Sequence, residues 1–592
     1  MAKELFTPIN RKVGDLLTDV QNGRIGLPDL QRPFVWKDNK VRQLLDSMLK
    51  GFPIGFIMLW ESPSDFENIS QIGTNDKAYT APRDLVIDGQ QRLTALIASI
   101  KGVKIRDVDY KERYIKIAFH PLKCEFEVWT PAFERSPEWI SCISDVFSAK
   151  ENNTISKFRR SYIRLLNERR LKDELDEITD DEEVLIEDNI NALLGLVDYT
   201  LPTLEIRSTA NEEEVADIFV RVNSGGQKLT EKNFIETLLA VYDNDLQRKI
   251  NAFCKDSRIP KDGTSYNHII EVDPVHIIRT TVGLAFKRAR LKYAYMLLRG
   301  KDLKTGKSST ETQQENFTKF KNALDLVMNL NHWHAFLNIV EEAGYLKHTL
   351  ISSNNGLMFS YMLYLIAKIE YKLSAIALKR IMRRWVFMTT LTGYYTDSPE
   401  STVERQFADM RNIDSEKRFI QFIEDEINNQ FTDDYFSYNL INDLETSSTG
   451  SPVWYGYIAS LNVLGYPMLF STTPTSSFFI IGAHGQKSSI DIHHIFPKNY
   501  LATIGIKDDR ERNQIANYTY LDYSTNIDIS DNPPSTYVEE YRQHLGKEGF
   551  ALACEHNALP NDFEKLEYHD FLSQRRKLMA KLIHKAYLKL SE

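Results

Sequence analysis

Apolar and polar positions change period along this chain. From residue 1 to about 240, short strand-like runs alternate with helices. Leu85-Val86-Ile87 is a brief apolar strand, and 93–100 is spaced as a helix. Tyr114-Ile115-Lys116-Ile117-Ala118-Phe119 alternates as a half-buried strand, and Phe126-Glu127-Val128-Trp129 does the same. From 241 to about 445 the pattern lengthens into amphipathic helices, with 275–298, 318–330, 356–372 and 374–391 as examples. The run 446–452, Thr-Ser-Ser-Thr-Gly-Ser-Pro, has the composition of a linker. Beyond it, 453–592 returns to short strands and closes on a basic amphipathic helix. No internal repeat of solenoid length stands out. A chain of 592 residues predicts about three domains, placed at 1–240, 241–450 and 451–592.

Composition changes this picture little. The apolar share of 42% and charged share of 26% are those of an ordinary globular protein. No run is long and apolar enough for a transmembrane helix, and Met1-Ala2-Lys3-Glu4-Leu5 opens no signal peptide, so a cytoplasmic location is expected. Cys124, Cys142, Cys254 and Cys554 lie far apart, which argues against a zinc knuckle or a disulfide framework. The net charge of -9 does not advertise nucleic-acid binding, but local patches decide that question. Basic runs occur at 287–292, at 379–384 and in the last helix (Arg575, Arg576, Lys577, Lys581, Lys585, Lys589). Each reads first as a solvated helix face. The acidic block 173–188 reads as an exposed helix or loop.

Two constellations carry chemistry. The first, Asp88-Gly89-Gln90-Gln91-Arg92, falls between a strand and a helix. Gly89 permits a tight turn, and the helix start offers backbone N–H groups and a positive dipole end. Gln90 and Gln91 can donate hydrogen bonds, Arg92 can fork onto a phosphate, and Asp88 can hold Mg²⁺ or orient a water. An ordinary polar turn is equally compatible with these residues alone. Pro28-Asp29-Leu30-Gln31-Arg32-Pro33-Phe34-Val35-Trp36, Phe52-Pro53-Ile54-Gly55 and Ile218-Phe219-Val220-Arg221-Val222-Asn223-Ser224-Gly225-Gly226 are each weak singly. Taken together, in this order, the motifs of 8–240 resemble the N-terminal domain of GmrSD-type restriction enzymes, which is related to the ParB/sulfiredoxin fold. The resemblance implies nucleotide binding and hydrolysis that regulates DNA cleavage. It places Asp88, Gly89, Gln90, Gln91 and Arg92 at the centre, with Asp88 and Arg92 catalytic and Gln31, Arg32 and Asn223 also on the nucleotide. The nucleoside triphosphate, whether GTP, ATP or another, stays open.

The second constellation is Ile490-Asp491-Ile492-His493-His494-Ile495-Phe496-Pro497, with Asn517 and Asn526 downstream. Phosphodiester hydrolysis needs an attacking water, a base and a cation. His494 suits the base, since imidazole titrates near neutrality. His493 would point to the opposite side of an extended strand and ligate a metal. Asn526 would add an amide oxygen, Asp491 would ligate or orient a histidine, and Asn517 would brace the loop. Strand-like 489–495, strand-like 518–521 and a helix start at 524–526 spell β-β-α. This resembles the HNH, or ββα-metal, nucleases, and in particular the nuclease half of GmrSD and BrxU proteins. The family pattern is often Asp-His at the central pair; His493-His494 here favours softer ions, so Mn²⁺ would serve as well as Mg²⁺.

The expected architecture is therefore multidomain α+β: an N-terminal ParB/sulfiredoxin-like α/β domain, a helical middle and a C-terminal ββα-metal domain. The resemblance implies a type IV restriction endonuclease acting on modified phage DNA, with a divalent metal and a nucleotide as cofactors. Two alternatives stay open: a nucleotide-switched DNA-binding protein that does not cut, and an RNase-type defence effector. No membrane partner is expected, and homodimer formation is left open. Neither a P-loop nor a G-x-S-x-G motif occurs. Gly393-Tyr394-Tyr395 reads as core rather than as a base-stacking platform.

Overall fold

The computed structural model describes residues 5–26, 34–61, 83–107, 111–210, 244–258, 267–298, 309–479, 490–522 and 531–592, with isolated residues between. The chain falls into two compact units, Met1–Lys255 and Asp256–Glu592.

The first unit is built on a mixed five-stranded sheet. Its strands are β1 (Phe6–Lys12), β2 (Ile25–Gly26), β3 (Ile57–Glu61), β4 (Asp84–Asp88) and β9 (Thr200–Ile206), in the order β1-β9-β3-β4-β2. β9 runs antiparallel to β1 and parallel to β3; β4 runs antiparallel to β3 and parallel to β2. β3 is buried on both faces, with Ile57, Met58, Leu59 and Trp60 all at 1% exposure or less, as suits a central strand. Helices α1 (Val13–Gln21), α2 (Asp38–Leu49) and α3 (Gln90–Lys101) supply Leu16, Leu17, Leu45 and Leu96 to one core with Ile57 and Leu59. Two small antiparallel pairs lie between, β5 (Ile105–Arg106) with β6 (Glu112–Arg113) and β7 (Ile117–His120) with β8 (Glu125–Val128). The strand expected over 114–119 thus starts at Ile117, because its partner ends opposite it, at Val128. The second half of the acidic block, from Asp180, enters helix Asp180–Leu194, opened by a capping box between Thr179 and Glu182.

The second unit is mainly helical. Helix Asn354–Ile369 is apolar nearly all round and buried on nearly every side from Gly356 to Ala367, so it forms the centre of the packing. Helix Ala375–Leu391 packs on it, and the last helix, Tyr568–Ser591, packs on both Ala375–Leu391 and Pro452–Leu464. The single helix expected over 275–298 is two, Pro274–Phe286 and Leu291–Leu298. Lys287 takes a left-handed conformation (φ 53°), and the Glu404 carboxylate accepts from the amides of Ala289 (2.8 Å) and Arg290 (3.3 Å). The run 446–452 lies inside this unit: Thr446 O accepts from Ile515 N (2.8 Å), and Ser451 caps the helix Pro452–Leu464 through Trp454 N. Among the described residues, two strands complete it, β10 (Ile490–His494) and β11 (Tyr518–Asp522), paired antiparallel. Among the described residues, no helix is long and apolar enough to cross a membrane.

The basic runs are largely tied down. Lys287 meets Glu370, Arg288 meets Glu404 (3.2 Å), Lys379 meets Glu342 (2.6 Å) and Arg384 meets Glu424 (2.6 Å). Tyr395 is core, 3% exposed, with its hydroxyl on Gln406 Oε1 (3.2 Å); Tyr394 is held by Glu426 and Arg405.

Candidate functional site

The turn between β4 and α3 draws together motifs that are far apart in sequence. β4 ends at Asp88, whose Oδ1 accepts from Gly89 N (2.8 Å). Gly89 then takes φ +90°, which L side chains rarely adopt, and the amides of Arg92 and Leu93 both bond back to Gly89 O (3.0 Å each). A Cβ at Gly89 would lie 2.4 Å from Ile57 Cδ1. Gln91 Oε1 accepts from Val35 N (3.0 Å), joining the turn to the first motif. Arg92 Nη1 donates to Phe56 O (2.5 Å), and its guanidinium lies over Gly55, where a Cβ would be 2.7 Å from Nη2. Gly55 also has positive φ (+92°), so Phe52-Pro53-Ile54-Gly55 delivers a glycine because Arg92 needs the space.

Asp88, Gly89, Gln90, Gln91 and Arg92 are all half-buried. Burial pulls the Arg92 guanidinium below its ordinary pKa, with Asp88 opposing. Gln91 Nε2 is buried without a hydrogen-bond partner among the described residues. Arg92 is thus partly engaged by main chain rather than wholly offered to a phosphate, while Gln91 keeps a donor in reserve. Gln31, Arg32 and Asn223 lie outside the described residues.

The histidine segment forms a hairpin whose register separates its two imidazoles. His494 pairs with Tyr518 and His493 with Thr519, so the rings lie on opposite faces. His493 is 9% exposed and shares its face with Thr519 and Leu521, both buried. His494 is half-buried; its ring meets Tyr518 edge-on (4.8 Å between centroids), and Trp454 packs on Tyr518 and Tyr520 of the same face. His494 Nε2 lies 3.0 Å from Asn513 Oδ1. Burial lowers the His494 pKa, Lys498 and Arg512 act in the same direction, and the Asn513 contact opposes them.

Asn517 is fully buried and ties this loop together. Its Oδ1 accepts from Phe496 N (2.8 Å), its Nδ2 donates to Phe496 O (3.0 Å) and Arg512 O (3.2 Å), and its own carbonyl accepts from Ile495 N (2.8 Å). Around it stand residues that were not expected at the site. Tyr537 donates to Ile495 O (2.6 Å), Tyr568 to Glu511 O (3.0 Å), and Arg575, 0% exposed, to Ala516 O (2.8 Å). No carboxylate pairs with Arg575 among the described residues; carbonyl oxygens hold it. Arg575 therefore does not belong to a solvated basic face. Its place was legible, since Phe571, Arg575, Met579 and Ile583 share one buried helical stripe. Asn513 had no comparable signal, lying in a polar loop run.

Asp491 stands in β10 opposite Leu521, its side chain outside the description, and Asn526 also lies outside the described residues. Of the expected metal donors, His493 alone is therefore placed with its side chain. Among the described residues, no group of three or more His, Cys, Asp or Glu could hold a metal ion. The described donors thus do not by themselves make a metal centre.

Comparison with known proteins bears on the first unit most directly. The chain is similar over 555 residues, 24% identical, to an uncharacterized protein of Methanocaldococcus jannaschii, covering 89% of this chain and 86% of that relative. Residues 13–240, which contain every strand of the sheet but β1, the Asp88–Arg92 turn and the motifs it draws together, match the family model described as the GmrSD restriction endonuclease, N-terminal domain.

Proposed function

We propose that this protein is a restriction endonuclease that cuts or nicks modified phage DNA by metal-dependent phosphodiester hydrolysis at the histidine hairpin. A nucleotide bound and hydrolysed at the Asp88–Arg92 turn would control it. The observation that carries the reading is the match of residues 13–240 to a restriction-endonuclease domain. The hairpin supports the location of the chemistry.

In this reading His494 takes the proton of the attacking water. Asn513 Oδ1 accepts from its Nε2–H, so the neutral ring holds its proton there and Nδ1 is the basic atom. Burial favours the neutral, proton-accepting ring at pH 7. Asn517 fixes the loop that follows, and Tyr537, Tyr568 and Arg575 fix the backbone around it. His493, with Asn526 and Asp491, would hold Mg²⁺ or Mn²⁺, whose contribution is charge stabilisation at the scissile phosphate. At the turn, Gln91 Nε2 and the remaining edge of Arg92 would meet phosphate oxygens, with Gln31, Arg32 and Asn223 completing the nucleotide site.

Control by a nucleotide is a population argument: the triphosphate would bias an equilibrium between cutting and non-cutting states. The test measures cleavage of modified DNA with each nucleoside triphosphate, with tRNA incubated in parallel. Arg92→Ala is expected to change the nucleotide response while leaving the hairpin intact. Unchanged cleavage, specificity and nucleotide response in Arg92→Ala would sink the coupling. Degradation of tRNA instead of DNA would replace the reading with an RNase.

A further inference from the structure

We infer that Lys498 and Arg512 form a phosphate clamp beside His494, and that Asp509 occupies it until a DNA phosphodiester displaces the carboxylate; this rests on DNA being the substrate. Both cations converge on one oxygen. Lys498 Nζ lies 3.0 Å and Arg512 Nη2 2.8 Å from Oδ1 of Asp509. A single oxygen held by an ammonium and a guanidinium is what a phosphate oxygen would meet in their place.

Three further observations separate this from an ordinary surface ion pair. First, both cations stand on the chain segments that flank the His494 ring. Lys498 follows His494 through the Pro497 turn, and Arg512 adjoins Asn513, which binds the ring. Second, Arg512 is held in place before any ligand arrives. Its side chain is only 15% exposed, and its carbonyl accepts from Asn517 Nδ2 (3.2 Å) and Tyr568 Oη (3.3 Å). Its Nε is buried without a hydrogen-bond partner among the described residues. Third, Asp509 is the exposed member, its side chain 70% exposed, and so the one free to leave. The neighbouring Glu511 is engaged elsewhere, 3.1 Å from His569 Nε2. Exposed pairs of this kind are weak, so a phosphodiester bearing a full charge can exchange for the carboxylate, and the free protein does not leave two cations unpaired at the site.

The test is equilibrium binding of a fluorescein-labelled DNA duplex to the full chain across a salt series. His494→Ala serves as background so that cleavage does not intervene. Asp509→Asn is expected to bind about two- to five-fold tighter at low salt, the factor set by the strength of an exposed ion pair. Lys498→Ala with Arg512→Gln is expected to bind at least several-fold more weakly and to flatten the log K against log salt slope by about 1, the loss of one phosphate contact. Lys498→Ala alone, on an exposed side chain, carries the test if the double variant fails to fold. Equal or weaker binding by Asp509→Asn, or an unchanged slope in the lysine and arginine variants, would overturn the clamp while leaving DNA as the substrate. Absence of DNA binding by the parent would instead remove the DNA reading itself, and the clamp with it.

Discussion

Asn517→Ala should damage the second unit far more than a loop substitution normally does. The side chain is fully buried and makes three hydrogen bonds, from Phe496 N, to Phe496 O and to Arg512 O. Alanine removes all three. Arg512 O keeps the Tyr568 hydroxyl (3.3 Å), so the uncompensated loss falls on the N–H and C=O of Phe496, itself 3% exposed. Leaving a buried donor unsatisfied costs about 1–3 kcal/mol, and the weakened carbonyl adds a smaller amount, giving roughly 2–4 kcal/mol in all. Urea unfolding should show a lower midpoint with an unchanged slope. Amide exchange of a peptide covering 490–500 should show the Phe496 amide losing its protection, which places the effect at the loop. Asn517→Asp is a sharper control. It keeps an acceptor for Phe496 N but aims a second carboxylate oxygen at two carbonyls, so it should be at least as destabilising at neutral pH. A loss under about 0.5 kcal/mol for Asn517→Ala, the range of an ordinary surface change, with unaltered exchange at Phe496, would refute the bracing argument.

Two further outcomes follow from the first unit. Gly89→Ala forces a Cβ into a left-handed turn, at about 1–3 kcal/mol for the backbone alone, and drives it against Ile57 Cδ1; thermal unfolding should show the loss, and an unchanged midpoint would contradict the turn geometry. Asp84, at the start of β4, has its pKa raised to about 6 by burial, with Arg83 opposing and Glu205 adding to the rise. Its folded state therefore binds the proton more tightly than the unfolded chain. That contribution to stability is present at low pH and is lost as pH rises from the unfolded value of 3.8 through about 6. Asp84→Asn should therefore stabilise the protein at pH 7.5, with the gain fading below pH 4; a gain that is constant with pH would show that burial of the charge is not its cause.

Much of both sites was legible where chemistry and local pattern coincided. Leu85-Val86-Ile87 followed by Gly89 required a strand, a tight turn and a helix, and β4 and α3 meet there. The alternation on either side of His493-His494 gave the hairpin and the opposite directions of its rings. What escaped was set by tertiary partners. The break at Lys287 depends on Glu404, which caps the next helix from far along the chain. The shortening of β7 reflects where β8 ends. Asn513 reaches His494 from a loop between the strands that Asn517 and Tyr568 pin through the Arg512 carbonyl. Arg575 was misread because its charge outweighed its position on an apolar stripe.

The central claim is best tested by cleavage of phage DNA carrying modified bases, compared with the same DNA unmodified, in the presence of Mg²⁺ or Mn²⁺. The account predicts that the full chain cuts or nicks the modified DNA, that chelation of the metal abolishes cutting, and that His494→Ala loses at least about 100-fold in rate, the scale expected for removing a general base, while still binding DNA. Cleavage by His494→Ala at the parent rate would contradict it, as would a parent protein that leaves modified DNA intact with either metal and every nucleotide.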